Sequence, residues 1–215
     1  MANLYITGDS FCFWRKDPLY HWPLILANNL NLKLTGEGYP GRSWWNSRQN
    51  LHEYKQTPDF QNTELFIFCH TEPLRILSTE IASYSPDRTP DELHAKQIYY
   101  KHIYDEDFHR WAMVKYYHEL NEILENKKVI HLFCFRAALN LGFTICNGYK
   151  GVDALTRLVF ADFKSKNKDI NTEQSYNHFL PETNIELASF FTNLFNEQIK
   201  DNLPTTKNFN ITLDQ

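Results

Sequence analysis

Three short apolar runs constrain this chain most: NLYIT at 3–7, LFIFCH at 65–70 and VIHLFCF at 129–135. Each is strand-length, rich in Phe, Ile, Leu or Val, and too short for a helix that packs on its own. Between them lie segments with helical spacing. WPLILANNL at 22–30 sets Leu24, Ala27 and Leu30 on one side, with Pro23 in the first turn. A second helix is expected over 44–54 with Ser43 as its cap. Residues 92–126 are helical in pattern, with Tyr99, Ile103, Trp111, Leu120, Ile123 and Leu124 as inward positions. So long a helix is unusual in a compact domain, which predicts a break at 105–107. Further strands are expected at 32–35 and 155–163, and a last helix over 181–200 with Leu187, Phe190, Phe191 and Leu194 inward.

Strands that alternate with helices in this way imply a mostly parallel sheet covered on both faces. The expected fold is therefore α/β: a three-layer α/β/α sandwich with a flavodoxin-like sheet of about five strands. The sequence predicts one domain over 1–202 and a polar, irregular tail over 203–215. Ligands in such sheets bind outside the carboxyl ends of the strands. Ser10, Gly41, His70 and Phe135 all follow strands or joining loops at that edge.

Composition narrows the function classes. Apolar residues make up 42% and aromatic residues 15% of the 215, enough for a sizeable core. The net charge is -4 without a basic stripe, so a nucleic-acid partner is not expected. No apolar run of bilayer length and no signal-like start occurs, which predicts no membrane partner and a cytoplasmic location. Cys12, Cys69, Cys134 and Cys146 show no C-x-x-C spacing and read as reduced thiols. His94, His102, His109 and His118 lack the i, i+4 spacing of a helical metal site. Neither a metal nor an organic cofactor is expected.

The chemistry concentrates where the first strand ends. LYITGDSFCF carries Gly8-Asp9-Ser10, a small turn with a hydroxyl. A serine attacks only when a base takes its proton and donors hold the oxyanion that forms. A histidine late in the chain fits: His178 stands in NHFLPETN, just before Pro181 opens the last helix. Asp9 is expected to fix the turn rather than to react.

Gly8-Asp9-Ser10, the strand-exit GYPG and the late NHFLPETN together resemble the SGNH/GDSL hydrolase superfamily, through order and spacing over most of the chain. FCHTEP with NHF also resembles hydrolases encoded by tailed phages, which would place the protein in a virion or in host cytoplasm. The superfamily resemblance implies that Ser10 is the nucleophile, that His178 is its base, and that backbone N–H groups of Ser10 and Gly41 form an oxyanion hole. Two departures stand out. Where the family reads Gly-x-Asn-Asp, this chain has Cys69-His70-Thr71-Glu72, which leaves Thr71 or His70 as the third donor. Where the family has Asp three residues before the histidine, this chain has Ser175. Either Glu173, five residues before His178, orients the base, or a backbone carbonyl does.

The resemblance implies a serine esterase acting on O-acyl esters, O-acetyl among them, of carbohydrates or small molecules. The alternative is a weak or inactive module on the same scaffold, kept for glycan binding or as a virion component. Of Trp44 and Trp45, one is expected to meet substrate and the other to be core. Trp44, Arg42 and Arg75 are the candidate substrate contacts; the arginines would suit an anionic group. A nucleotide-binding reading lacks the glycine-rich phosphate fingerprint after the first strand.

Overall fold

The computed structural model describes residues 1–13, 21–70, 75–77, 89–133, 156–164, 181–199 and 208–214. For Ser10, residues 198–199, and the last two strands apart from Val159, the description is of the backbone. The strands are β1 (Asn3–Gly8), β2 (Lys33–Thr35), β3 (Thr63–His70), β4 (Val129–Phe133), β5 (Thr156–Lys164) and β6 (Asn208–Asp214). They form one sheet in the order β2-β1-β3-β4-β5-β6, with every pairing parallel. The helices are α1 (Trp22–Leu30), α2 (Trp44–Lys55), α3 (Pro90–Ile98), α4 (Glu106–Ile123) and α5 (Pro181–Leu194). The expected α/β sandwich with a flavodoxin-like strand order is the one observed, with one strand more than expected.

Side-chain alternation along the central strands makes two different layers. Leu4, Ile6, Leu65, Ile67, Ile130 and Leu132 point to one face, where α1 and α5 cover them with Trp22, Leu26, Leu187 and Phe191. Tyr5, Phe66, Phe68 and Phe133 point to the other, against Trp44 and Leu51 of α2 and Met113, Tyr116, Tyr117 and Leu120 of α4. One layer is mainly aliphatic on its sheet side and the other aromatic.

The break in the long helical stretch falls beside its expected place. α3 opens with a capping box, Thr89 and Glu92 satisfying each other's backbone N–H groups. It runs into a π-helical turn, Tyr99–Ile103. Tyr104 then leaves the helix, and Asp105 caps α4 by accepting from the Phe108 N–H at 2.9 Å. The inward face of α4 is His109, Met113, Tyr116, Tyr117 and Leu120. Trp111, expected inward, is out of phase with that stripe and 57% exposed; Ile103 is exposed as well.

Within the segment expected to be an irregular tail, residues 208–214 form a strand. Asn208–Asp214 extends the sheet as β6, in register with β5 from Leu158↔Asn208 to Lys164↔Asp214. Its sequence, NFNITLD, alternates polar and apolar residues with the period of a strand. An edge strand needs only one apolar face, so its mean polarity resembles that of a loop. The sheet therefore extends through residue 214. No helix among the described residues is long and apolar enough to cross a membrane.

Candidate active site

Strand order reverses between β1 and β3, because β2 lies on one side of β1 and all later strands on the other. The crevice at such a switch point is where open α/β sheets hold ligands. Gly8 and Cys69 are register partners there, at the ends of β1 and β3.

Beyond Gly8 the chain makes a single 3-10 turn, Ser10–Cys12. Asp9 builds it: its Oδ1 accepts from the Phe11 N–H at 2.9 Å, and its carbonyl accepts from the Cys12 N–H at 3.3 Å. Asp9 thus fixes the turn, as the sequence leads one to expect. Its side chain is wholly buried, 3.7 Å from the thiol sulfur of Cys69. Burial and Cys69 push the Asp9 carboxyl well above the usual carboxylate range, and Arg75 pulls the other way. Burial, Cys69 and Asp9 raise the Cys12 thiol, which keeps it protonated.

The loop after β2 lies directly on this turn. Gly38 forms a parallel bridge with Gly8, and the Tyr39 N–H donates to the Gly8 carbonyl at 2.9 Å. Only glycine permits this approach: a Cβ on Gly38 would sit 2.1 Å from the Asp9 carbonyl oxygen and 2.7 Å from the Cys12 sulfur. The loop then turns through Gly41, whose φ of 70° lies in the left-handed region. Ser43 closes it by capping α2, accepting from the Trp45 N–H.

Two side chains hold this corner together. The Arg75 guanidinium donates from Nη1 to the Arg42 carbonyl at 2.9 Å, and its Nη2 lies 3.7 Å from Asp9 Oδ2. It ties the residue before Ser10 to the residue after Gly41. Trp22, at the start of α1, donates from its indole to the Phe11 carbonyl at 2.8 Å. Its backbone N–H donates to Asn184 Oδ1 at 3.0 Å. Trp22 therefore ties the Ser10 turn to the first turns of α5.

The placement of the other expected residues is mixed. Arg75 is not a substrate contact: its side chain is 2% exposed and committed to the corner. Arg42 is half-buried, with its carbonyl taken by Arg75. Trp44 belongs to the core side of the pair, 3% exposed and stacked on Tyr116 at 5.0 Å; Trp45 is the more exposed of the two, with the Arg48 guanidinium 4.9 Å above it. His70 is buried in the aromatic layer, its Nε2 in a 2.8 Å hydrogen bond with His131 Nδ1 and its ring stacked on Phe133. That bond and its burial leave His70 poorly placed to serve as the third oxyanion donor. Burial and the adjacent His131 hold His70 well below its ordinary pKa, and burial lowers His131 to about 4, so both rings are neutral at pH 7. Thr71, Glu173 and His178 lie outside the described residues. Among the described residues no cluster of three His, Cys, Asp or Glu side chains is arranged to hold a metal ion.

Neither clamping role is legible in the sequence, where Arg75 looks like a substrate contact. Arg75 sits five residues past a strand end, and Trp22 opens an ordinary amphipathic helix. The one available signal was Asp9, a buried carboxylate next to an apolar strand, which demands a cationic or donor partner from elsewhere.

No family model matches this chain, and no curated protein matches it. Among solved structures it is similar to an acetyl xylan esterase from the rumen bacterium Butyrivibrio proteoclasticus. The superposition has a TM-score of 0.48 at 14% identity and covers 91% of this chain. The chain spans 64% of the length of that esterase.

Proposed function

We propose that this chain is a serine hydrolase of ester bonds. The observation that carries the reading is the double link made by Trp22. One residue binds both the turn that begins at Ser10 and, through Asn184, the helix that starts three residues after His178. Nucleophile and base come from opposite ends of the chain, and their anchors are tied to each other.

In this reading Ser10 attacks an acyl carbonyl, and His178 takes its proton and returns it to the leaving alcohol. Backbone N–H groups of Ser10 and Gly41 receive the oxyanion on a corner already fixed by Arg75. Thr71 is the third donor in preference to His70, whose Nε2 is engaged by His131. Glu173 orients His178. Water then releases the acyl group. The substrates are O-acyl esters, O-acetyl among them, of carbohydrates or small molecules.

A short-chain chromogenic ester such as p-nitrophenyl acetate tests the reading. Turnover abolished in Ser10→Ala and reduced at least about a thousandfold in His178→Ala supports it. Turnover retained in Ser10→Ala contradicts it. The replacement of Gly-x-Asn-Asp by Cys69-His70-Thr71-Glu72 favours a second reading, a non-catalytic binding module, and no turnover by the intact protein would select it.

A further inference from the structure

A cleft of about 630 Å³ opens between α2 and α4, beside the corner just described. Two chain segments run from that corner into its wall: Gly41 to Trp44, and Arg75 to Leu77. Its aromatic faces come from both helices, Trp45 on α2 and Trp111 and Phe108 on α4. Trp111 is 57% and Phe108 52% exposed, with their rings tilted by 31° at 6.1 Å. These are large flat apolar surfaces that folding leaves in water.

The polar groups of the cleft define what fits between those faces. Arg48 and Lys115 are matched by Glu119 and Glu122, so the lining has no excess of either sign to select an ion. Glu119 is oriented in advance: Arg48 holds both of its oxygens and His52 donates to one at 2.8 Å. Burial alone would raise its pKa, but those two partners outweigh burial and hold it below the usual range, ionised at neutral pH.

We propose that this cleft binds a neutral oligosaccharide, stacked through its C–H faces on Trp45, Trp111 and Phe108 and hydrogen-bonded through its hydroxyls to Glu119. A pyranose has one apolar face and a rim of hydroxyls, which matches flat aromatic walls with fixed polar groups between them. A phosphorylated ligand lacks the cationic excess it needs, and an apolar helix would strip water from the ionised Glu119 without replacing it. Binding stands on the cleft alone; that the bound sugar carries the scissile ester rests on the hydrolase reading.

The test is titration of the full chain, as Ser10→Ala, with xylohexaose, cellohexaose, maltohexaose and chitohexaose, followed by tryptophan fluorescence and calorimetry. Trp111→Ala removes an exposed ring and should leave folding intact; Ile185→Ala, on exposed α5 surface, is the control. Saturable binding of at least one sugar, weakened about tenfold by Trp111→Ala and unchanged by Ile185→Ala, is expected. No binding of any of the four at millimolar concentration overturns the proposal, as does binding that Trp111→Ala leaves unchanged. Trp111-dependent binding of AMP with no sugar binding overturns it too. If sugar binding holds while the wild type fails to turn over p-nitrophenyl acetate, the cleft proposal stands and the hydrolase reading falls.

Discussion

Arg75 and Asp9 face each other across 3.7 Å with both side chains sealed from solvent. A guanidinium is charged at any accessible pH, so burying it demands a partner, and Asp9 supplies one beside Ser10. The same guanidinium reaches the carbonyl of Arg42, next to Gly41. Geometry at the corner therefore depends on a guanidinium that donates to the Arg42 carbonyl at 2.9 Å while its other arm lies 3.7 Å from the Asp9 carboxyl. Arg75→Lys keeps the charge and loses the fork. On the hydrolase reading, kcat for p-nitrophenyl acetate falls roughly ten- to a hundredfold with KM little changed. Arg75→Met removes the bond to the Arg42 carbonyl and the cation that draws the Asp9 pKa down, so the urea midpoint should fall. An unchanged kcat in Arg75→Lys contradicts the positioning role.

The two loop glycines are expected to differ in kind. Gly38→Ala drives a methyl into the Asp9 carbonyl, so the turn that carries Ser10 must move. Gly41→Ala strains one residue at a φ of 70°, at a cost of about 1–2 kcal/mol. Melting temperatures should fall in both variants. Per degree lost, ester turnover should fall further in Gly38→Ala.

The buried histidine pair gives stability a pH dependence. Unfolded imidazoles titrate near pH 6.5, whereas burial holds folded His131 at about 4 and lowers His70 as well. Between those values the unfolded chain binds protons that the folded one refuses. Stability is therefore flat above about pH 6.5 and falls as pH drops towards about 4, by on the order of 3 kcal/mol for His131. Urea midpoints measured across this window check the slope. The double variant His70→Phe/His131→Phe, which keeps flat rings beside Phe133, should lose most of it.

A chain ended at residue 207 removes β6 and leaves the long β5 as a bare edge. Unpaired edge strands recruit partners. Light scattering should show self-association, and the urea midpoint should fall. A monomer of unchanged stability would mean that β6 contributes nothing to the sheet.

The sequence reveals much of this architecture because its signals are local. LFIFCH and VIHLFCF are dense apolar runs that only a doubly covered strand can hold, and Ser43 and Asp105 cap helices from within one turn. Signals that depend on distant partners stay hidden. NFNITLD is a strand only because β5 offers it an edge. Trp111 fits an apolar helix pattern, yet the phase set by Met113, Tyr116 and Leu120 turns it outward. Within the candidate site, Ser10 and Gly41 are legible as a turn and a glycine loop. Arg75 is not, because its role exists only where Asp9 and Arg42 converge. His70 carries no local mark either; it becomes a core residue through His131, 61 positions away.

In the proposed mechanism Ser10 is an activated nucleophile and His178 its base. A fluorophosphonate probe reacts with such a serine without any assumption about substrate. A single adduct is expected, mapped by mass spectrometry to Ser10 and absent from Ser10→Ala and His178→Ala while both remain folded. A folded wild-type protein that carries no adduct on Ser10, or an adduct that His178→Ala leaves undiminished, contradicts it.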